Sequence, residues 1–262
     1  HYAPDGGWES LLSEFCKPIM VIEDLADRPH ACDLLLDQTL GSVPEAYARW
    51  LDKPCRVLAG AQFALLRPEF AHLRTQSLAR RDPPVLRRVL ITMGGVDQSN
   101  ATERVMRALS RCDLPALEEI TVVMGRNAPW LTRAQQTAAV MPWPTRVLVN
   151  TSKMASLMAE TDLAVGAAGS TSWERCCLGV PTLMAVLADN QLQAATALQK
   201  AGAVYPFRIG ATLEHEIGSF LENVTRNPNR LATMSACASS ITDGHGCEIV
   251  ADAMTNITMV DS

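Results

Sequence analysis

Short runs of apolar residues alternate along the chain with stretches in which apolar residues recur every three or four positions. Continuous runs of this kind predict strands buried on both faces of a parallel sheet, and the wider spacing predicts amphipathic helices. The predicted strands lie at residues 18–23, 33–37, 56–59, 89–93, 120–124, 147–149, 163–165, 182–187 and 203–207. The predicted helices lie at residues 7–16, 100–110, 130–139, 152–160, 171–178, 190–201, 212–225 and 229–239.

The alternation of strand and helix is most regular after Arg87. Regular alternation implies parallel strands joined by crossover helices, so the expected fold class is α/β, with helices on both faces of the sheet. Residues 74–84 are polar and end in Asp82-Pro83-Pro84. This enrichment in arginine and proline predicts a boundary between two domains.

Composition and charge indicate the general class of protein and its expected partners. Hydrophobic residues make up 48% and charged residues 19% of the 262 positions, which suits a globular protein with a sizeable core. The net charge is -5 and no long basic run occurs, so we expect no nucleic-acid partner. We see neither the ~18 consecutive apolar residues of a spanning helix nor a signal peptide. We therefore expect a cytoplasmic protein without a membrane partner.

The first candidate site follows the strand at 89–93. In open parallel sheets, ligands bind beyond the carboxyl ends of the strands. Gly94 and Gly95 lie there, before a predicted helix that starts near Asn100. Glycine lets backbone N–H groups approach a phosphate closely, and a helix start adds partial positive charge. The alternative is a plain turn, with Asn100 as helix cap and Glu103 at the third helical position.

A second run of small residues, Gly166-Ala-Ala-Gly-Ser-Thr-Ser-Trp-Glu174, also joins a strand to a helix. Small residues such as Gly169 leave the strand end open, and Ser170 and Thr171 offer hydroxyl groups and backbone donors to a diphosphate. Glu174 lies one turn inside the helix and could accept both ribose hydroxyls. Thr171 and Glu174 also match the S/T-x-x-E capping box, so both roles stay open.

Two further strand ends carry amide side chains. Asn190 and Gln191 can donate and accept hydrogen bonds, which suits the hydroxyl and amide groups of a sugar, although Asn190 fits a helix N-cap equally well. The loop from Asn150 to Met154 follows another strand, and its backbone groups could pair with the edge of a base. Ser152 as an N-cap is the simpler interpretation of that loop.

None of the five histidines has an evident acid or nucleophile partner by spacing. His30 lies two residues before Cys32, but no second ligand pair follows. A structural role for His30 is therefore favoured over metal binding, and no metal is expected.

Several of these motifs occur together in one known family. Gly94-Gly-Val-Asp97, the Gly166–Glu174 run, Leu187-Ala-Asp-Asn-Gln191 and Asp243-Gly-His-Gly246 resemble the motifs of the PseG family, the UDP-sugar hydrolases of pseudaminic acid biosynthesis. The resemblance covers nearly the whole chain. The second half of the chain is more distantly similar to MurG-type glycosyltransferases of the GT-B fold.

The resemblance implies two Rossmann-like domains of GT-B type, the first of them incomplete in this chain. Residues 1–73 would be the remainder of the amino-terminal domain, and residues 74–86 the interdomain linker. Residues 87–245 would be the UDP-binding domain, and residues 246–262 a helix that crosses back to the first domain.

The resemblance also implies roles for individual residues. Glu174 would bind the ribose, Ser170 and Thr171 the diphosphate, and Asn190 and Gln191 would face the sugar. Asn190 and Tyr2 are the predicted catalytic residues. The full set of predicted UDP and sugar contacts is Gly94, Gly95, Asn150, Met154, Gly169, Ser170, Thr171, Glu174, Asn190 and Gln191.

The implied reaction is hydrolysis of a UDP-linked diacetamido-trideoxy sugar by water attack at the anomeric carbon with inversion, without metal or cofactor. The family's general base is a histidine in a glycine-rich loop near the amino terminus. No segment here matches that loop, so the isolated chain is expected to be inactive. His1 would match the histidine before the cleft tyrosine, not the base.

Two other functions remain open on the same scaffold: a UDP-sugar glycosyltransferase and a UDP-sugar-binding module without catalysis. A UDP-sugar is the expected partner in each case, and a monomer is the default expectation. Asp24, Asp27 and Arg28 cluster near a strand end and have no assigned role.

Overall fold

A computed structural model of the protein describes residues 5–16 and 18–260. Contacts divide the chain into two compact units, one formed by the residues up to Pro68 with those from Ile241 onward, the other by Glu69–Ser240. The strands are β1 (Met20–Ile22), β2 (Leu34–Asp37), β3 (Arg56–Ala59), β4 (Arg88–Thr92), β5 (Glu119–Met124), β6 (Thr145–Val149), β7 (Leu163–Ala167), β8 (Thr182–Val186) and β9 (Val204–Arg208). The helices are α1 (Gly6–Leu12), α2 (Pro68–Ala79), α3 (Ala101–Leu109), α4 (Leu131–Ala138), α5 (Met154–Ala159), α6 (Thr171–Cys177), α7 (Leu192–Lys200), α8 (Leu213–Arg226), α9 (Asn229–Ser239) and α10 (Gly246–Val260).

The first unit contains a three-stranded parallel sheet in the order β1-β2-β3. Its central strand is buried on both faces, because successive side chains of a strand point to opposite sides. Leu34 and Leu36 pack with Val250 of α10 on one face, and Leu35 packs with other buried residues on the opposite face. The continuous apolar run of β2 follows from this double burial.

The second unit contains a six-stranded parallel sheet in the order β6-β5-β4-β7-β8-β9. Counted within this unit, the order is 3-2-1-4-5-6, which is that of the Rossmann fold. Its apolar core includes side chains of the central strands, such as Ile91 of β4 and Val165 of β7, which are fully buried. The expected α/β class with Rossmann-like parallel sheets is confirmed.

The predicted interdomain linker at residues 74–86 differs from the observed division of the chain. Residues 74–79 belong to α2, which packs within the second unit. The Arg74 guanidinium donates to the backbone oxygen of Ser239 at 2.7 Å, and the Ser77 hydroxyl donates to that of Leu178 at 2.8 Å. These polar side chains bond to carbonyl groups at the ends of other helices. The polar composition that predicted a linker therefore reflects these hydrogen bonds.

Among residues 5–16 and 18–260, no helix combines the length and the apolar character that crossing a membrane requires.

Candidate functional site

The carboxyl ends of β4 and β7 lie side by side at the centre of the larger sheet. The chain continues from β4 to strands on one side and from β7 to strands on the other, so this is the topological switch point. In open α/β sheets the crevice at such a point is where ligands bind. The loops at residues 93–100 and 168–170 border it.

Three predicted binding residues of these loops, Gly94, Gly95 and Gly169, are exposed, and a Cβ atom on any of them would meet open space. Gly94 has φ of +88° and Gly169 has φ of +158°, a backbone conformation that favours glycine. The structure thus brings both glycine motifs to adjacent strand ends, with room for a ligand against the backbone.

The start of α3 is capped by Asp97, a residue that sequence reasoning missed for this role. Its buried carboxylate accepts hydrogen bonds from the backbone N–H groups of Ala101 at 2.8 Å and Thr102 at 2.9 Å. Asn100 occupies the N-cap position, as expected, but its side chain makes no cap bond. Asn100 has φ of +55°, and its side chain donates to Glu103 instead. Because the first amides of α3 are bonded to a carboxylate, they do not offer positive charge to a phosphate.

The second glycine loop leads into α6, which has only seven residues. Ser170 lies at the N-cap position without a side-chain cap bond, and Thr171 is already inside the helix. The alternative Thr171–Glu174 capping box, with Thr171 as the cap, is therefore not formed. The buried Ser172 hydroxyl instead accepts from the backbone N–H of Gly169 at 3.3 Å. Glu174 is half-buried on the next turn.

Arg175, the residue after Glu174, is 1% exposed, and the sequence offered no signal for this burial. One of its nitrogens, Nη2, donates to the backbone oxygen of Ala167 at 2.8 Å and to the Ser172 hydroxyl at 3.2 Å. Burial lowers the pKa of the Arg175 guanidinium to about 10, so it remains a cation near neutral pH. A buried positive charge thus lies against the end of β7.

Asn190 and Gln191 follow β8, the neighbour of β7. The α-helix begins at Leu192 after a short 3₁₀ turn, so the interpretation of Asn190 as N-cap is wrong. Asn190 is exposed in that turn. Gln191 closes the turn, because its Oε1 accepts from the backbone N–H of Leu187 at 2.9 Å.

Asn150 and Met154 follow β6, the edge strand of the sheet. Asn150 has φ of +51°, and its Oδ1 accepts from the backbone N–H of Arg126 at 2.9 Å, which ties the loops after β5 and β6 together. Met154 is the half-buried first residue of α5. The predicted Ser152 cap is wrong, because Lys153 occupies the N-cap position and no side-chain cap bond forms.

All the described candidate residues lie at one edge of the sheet, because its strands are parallel and share their carboxyl ends. Their order along that edge is Asn150, then Gly94 and Gly95, then Gly169 with the start of α6, then Asn190. Tyr2, the other predicted catalytic residue, lies outside the residues that the structure describes.

The first unit holds a buried acid–imidazole pair. His30 is 2% and Glu9 is 3% exposed, and His30 Nδ1 lies 2.8 Å from Glu9 Oε1. The other Glu9 oxygen accepts from the backbone N–H of Ala31 at 2.6 Å. This burial fits the structural role expected for His30. Within residues 5–16 and 18–260, no three His, Cys, Asp or Glu side chains are grouped as metal ligands would be.

Three residues left without a role lie on the loop after β1. The Arg28 guanidinium donates to both carboxylate oxygens of Asp27, at 2.7 and 3.2 Å, and this bond lowers the pKa of Asp27. Partial burial, together with Glu23, raises the pKa of Asp24. These contacts lie within the loop, and they indicate no catalytic or binding role for it.

Comparison with known families supports the description of the larger sheet. The profile of the glycosyltransferase family 28 C-terminal domain matches residues 88–246, more than half of the chain. The chain belongs to this family. The matched segment contains β4 to β9 and every described candidate residue of the sheet edge.

Two curated relatives match with similar identity. The spore coat polysaccharide biosynthesis protein SpsG of Bacillus subtilis is 25% identical over 161 residues, 62% of this chain and 46% of that protein. The UDP-2,4-diacetamido-2,4,6-trideoxy-beta-L-altropyranose hydrolase of Campylobacter jejuni is 25% identical over 175 residues, 67% of this chain and 60% of that protein. The matches thus span less than two thirds of either relative.

Among solved structures, MurG of Acinetobacter baumannii is similar with a TM-score of 0.66 and 18% identity, covering 96% of this chain and 70% of that one. At this identity the likeness concerns the fold alone. It agrees with the GT-B type expected from the sequence.

Proposed function

We propose that the protein binds a UDP-sugar along the carboxyl edge of the larger sheet and hydrolyses it to UDP and free sugar. The observation that carries the proposal is the open backbone at the switch point, where Gly94, Gly95 and Gly169 leave space for a ligand. Membership of glycosyltransferase family 28 and the name of the Campylobacter jejuni relative support the nucleotide-sugar class.

The order of candidate residues along the edge fits a nucleotide-sugar laid across the strand ends. Asn150 after β6 would meet the base, the glycine loops after β4 and β7 the diphosphate, and Asn190 after β8 the sugar. Neighbouring strands are spaced by about 4.8 Å, so an extended ligand laid across this edge would meet the ends of several strands.

Glu174 is proposed to accept hydrogen bonds from the ribose hydroxyls. It is half-buried and one turn inside α6, directly after the loop proposed for the diphosphate. A carboxylate has two oxygens that accept and none that donates when ionised, which suits a vicinal diol.

Calorimetric titration with UDP tests this binding mode. Glu174→Ala is expected to weaken UDP binding by roughly 1.5–3 kcal/mol, the scale of hydrogen bonds to a charged group. Glu222→Ala is the matched control, because Glu222 is an exposed carboxylate on α8 that pairs with Arg226. Equal affinity of the Glu174 variant and the control would contradict the ribose role, and no UDP binding by the unaltered chain would contradict the proposal as a whole.

The proposed reaction acts on a UDP-linked diacetamido-trideoxy sugar. The anomeric C–O bond to the diphosphate breaks and UDP leaves with the electron pair, while a water oxygen bonds to the anomeric carbon from the opposite face and loses a proton. Asn190, exposed after β8, would orient the sugar. Asn190→Ala is then expected to weaken binding of the UDP-sugar and to leave binding of UDP unchanged in calorimetry, because the contact is made to the sugar.

A glycosyltransferase is the second candidate, favoured by the description of the matched family. The two reactions differ in what the protein needs for turnover. A hydrolase releases UDP from its UDP-sugar in buffer alone, whereas a transferase requires an acceptor hydroxyl. UDP release that depends on an added acceptor would replace hydrolysis by transfer. UDP binding without release under either condition is the result expected if no other residue replaces the family's histidine, and it would support binding without catalysis.

A further inference from the structure

The buried guanidinium of Arg175 lies against the ends of the two central strands. A Cβ atom added to Gly166 of β7 would collide with Arg175 Nη1 and would lie 3.1 Å from the backbone oxygen of Thr92, the last residue of β4. Gly166 and Thr92 are register partners in the sheet. Arg175 therefore lies at the base of the switch-point crevice.

The bonds of Arg175 run to the segment that carries the second glycine loop. Its Nη2 donates to the Ala167 oxygen and to the Ser172 hydroxyl, and that hydroxyl accepts from the Gly169 N–H at 3.3 Å. The side chain thus connects the start and the end of the loop. Loss of the guanidinium would free both ends at once.

The hydrogen-bonding capacity of the Arg175 guanidinium is incompletely used. Neither Nε nor Nη1 has a hydrogen-bond partner among the residues that the structure describes, although both atoms are buried. The acceptors that Nη2 reaches, a carbonyl and a hydroxyl, are neutral. Burying a cation without full compensation is unfavourable, and buried groups of this kind cluster at functional sites.

We propose that Arg175 is a positioning residue for the diphosphate of the bound nucleotide, holding the Ala167–Ser172 segment and supplying beneath it a positive charge that the ligand's negative charge balances. This inference rests on the proposed binding of a UDP-sugar. It requires no direct contact between Arg175 and the ligand, because an electrostatic interaction in a protein interior extends beyond contact distance.

The test compares UDP with uridine, which lacks the phosphates, in binding titrations on three variants and the unaltered chain. Arg175→Met removes the charge and retains much of the length, and Arg175→Gln removes the charge but keeps hydrogen-bond donors. Arg226→Met, on the exposed face of α8, is the control. The ratio of UDP affinity to uridine affinity is expected to fall about tenfold in Arg175→Met, the scale of one charge acting through a protein medium. A similar fall is expected in Arg175→Gln, because the charge rather than the hydrogen bonds sets the ratio.

A purely structural role would lower the affinities for UDP and uridine together and leave their ratio unchanged, and that result would overturn the inference alone. If Arg175→Met does not fold, as circular dichroism would show, Arg175→Gln decides. An about tenfold fall of the ratio in that variant supports the inference, and an unchanged ratio overturns it. Failure of the unaltered chain to bind UDP would overturn the proposed function and this inference with it.

Discussion

The two glycine loops at the switch point are held by opposite charges. After β4, the buried carboxylate of Asp97 accepts from the first amides of α3 at 2.8 and 2.9 Å. After β7, the buried guanidinium of Arg175 donates to the Ala167 oxygen and the Ser172 hydroxyl at 2.8 and 3.2 Å. In the loop after β4, a side chain accepts hydrogen bonds from backbone N–H groups. In the loop after β7, a side chain donates hydrogen bonds to a carbonyl and a hydroxyl oxygen.

The two loops look alike in sequence, but this difference gives them different capacities to bind an anion. A glycine turn before a helix is an anion site only where the helix amides remain open, and Asp97 occupies those of α3. The β7 loop has a cation at its base instead. We therefore expect the phosphates to lie nearer to Gly169 than to Gly94, with the β4 loop providing space more than charge.

The largest effect is expected at the backbone contact that supports the β4 loop. The Gly125 N–H donates to the Gly95 oxygen at 3.0 Å, and a Cβ on Gly125 would collide with that oxygen. Gly125→Ala should therefore lower the free energy of unfolding by about 3 kcal/mol, the upper range for overpacking. Gly95→Ala, whose Cβ meets open space, should change it by less than ~0.5 kcal/mol.

Chemical denaturation of the two alanine variants measures their free energies of unfolding, and UDP titration measures their ligand affinity. Gly95→Ala is expected to weaken UDP binding about tenfold, because its methyl group fills the space proposed for the ligand. Equal stability of the two variants would contradict the described backbone contact. Unchanged UDP affinity in Gly95→Ala would contradict the proposal that the ligand lies against the β4 loop.

The next effect concerns the carboxylate of the β4 loop. Asp97→Ala should lower the free energy of unfolding by about 2 kcal/mol, because two helix amides lose a buried acceptor. Asp97→Asn should lower it by about half as much, since asparagine keeps one oxygen and tolerates the φ of +46° at this position. Removal of the negative charge should also raise UDP affinity, about threefold, in calorimetry of the asparagine variant. A fall in affinity would show that Asp97 supports the ligand.

The smallest effect is expected at the link between Arg175 and the β7 loop. Ser172→Ala keeps the charge but removes the hydroxyl that bonds to both Arg175 and Gly169, so we expect a loss of about 1 kcal/mol in stability. Ser110→Ala is the control, because the Ser110 hydroxyl is exposed and donates to the backbone oxygen of Arg107 in its own helix. Thermal unfolding compares the two. An identical midpoint would show that the Ser172 bonds contribute nothing net.

The alternation of apolar runs and helical spacing determined the fold class by itself. Each strand of the larger sheet was predicted from a run such as Val89–Met93 or Leu163–Val165, because strands that are covered on both faces are rich in apolar residues. The sequence also predicted that the two glycine motifs lie at one edge of the sheet, because the carboxyl ends of parallel strands share that edge. The roles of Glu174, Asn190 and Tyr2 in binding and catalysis stay predictions.

Only the tertiary structure decided which polar groups meet. Asp97 makes the side-chain cap bonds of α3 although Asn100 occupies the N-cap position, and both residues take left-handed backbone conformations that spacing does not reveal. Arg74 appeared to mark a linker, yet its partner Ser239 lies far away in the chain. The burial of Arg175 depends on Gly166 leaving room for it beside β4. Periodicity reports how near neighbours share a face, whereas hydrogen bonds and buried charges depend on residues that only the folded chain brings together.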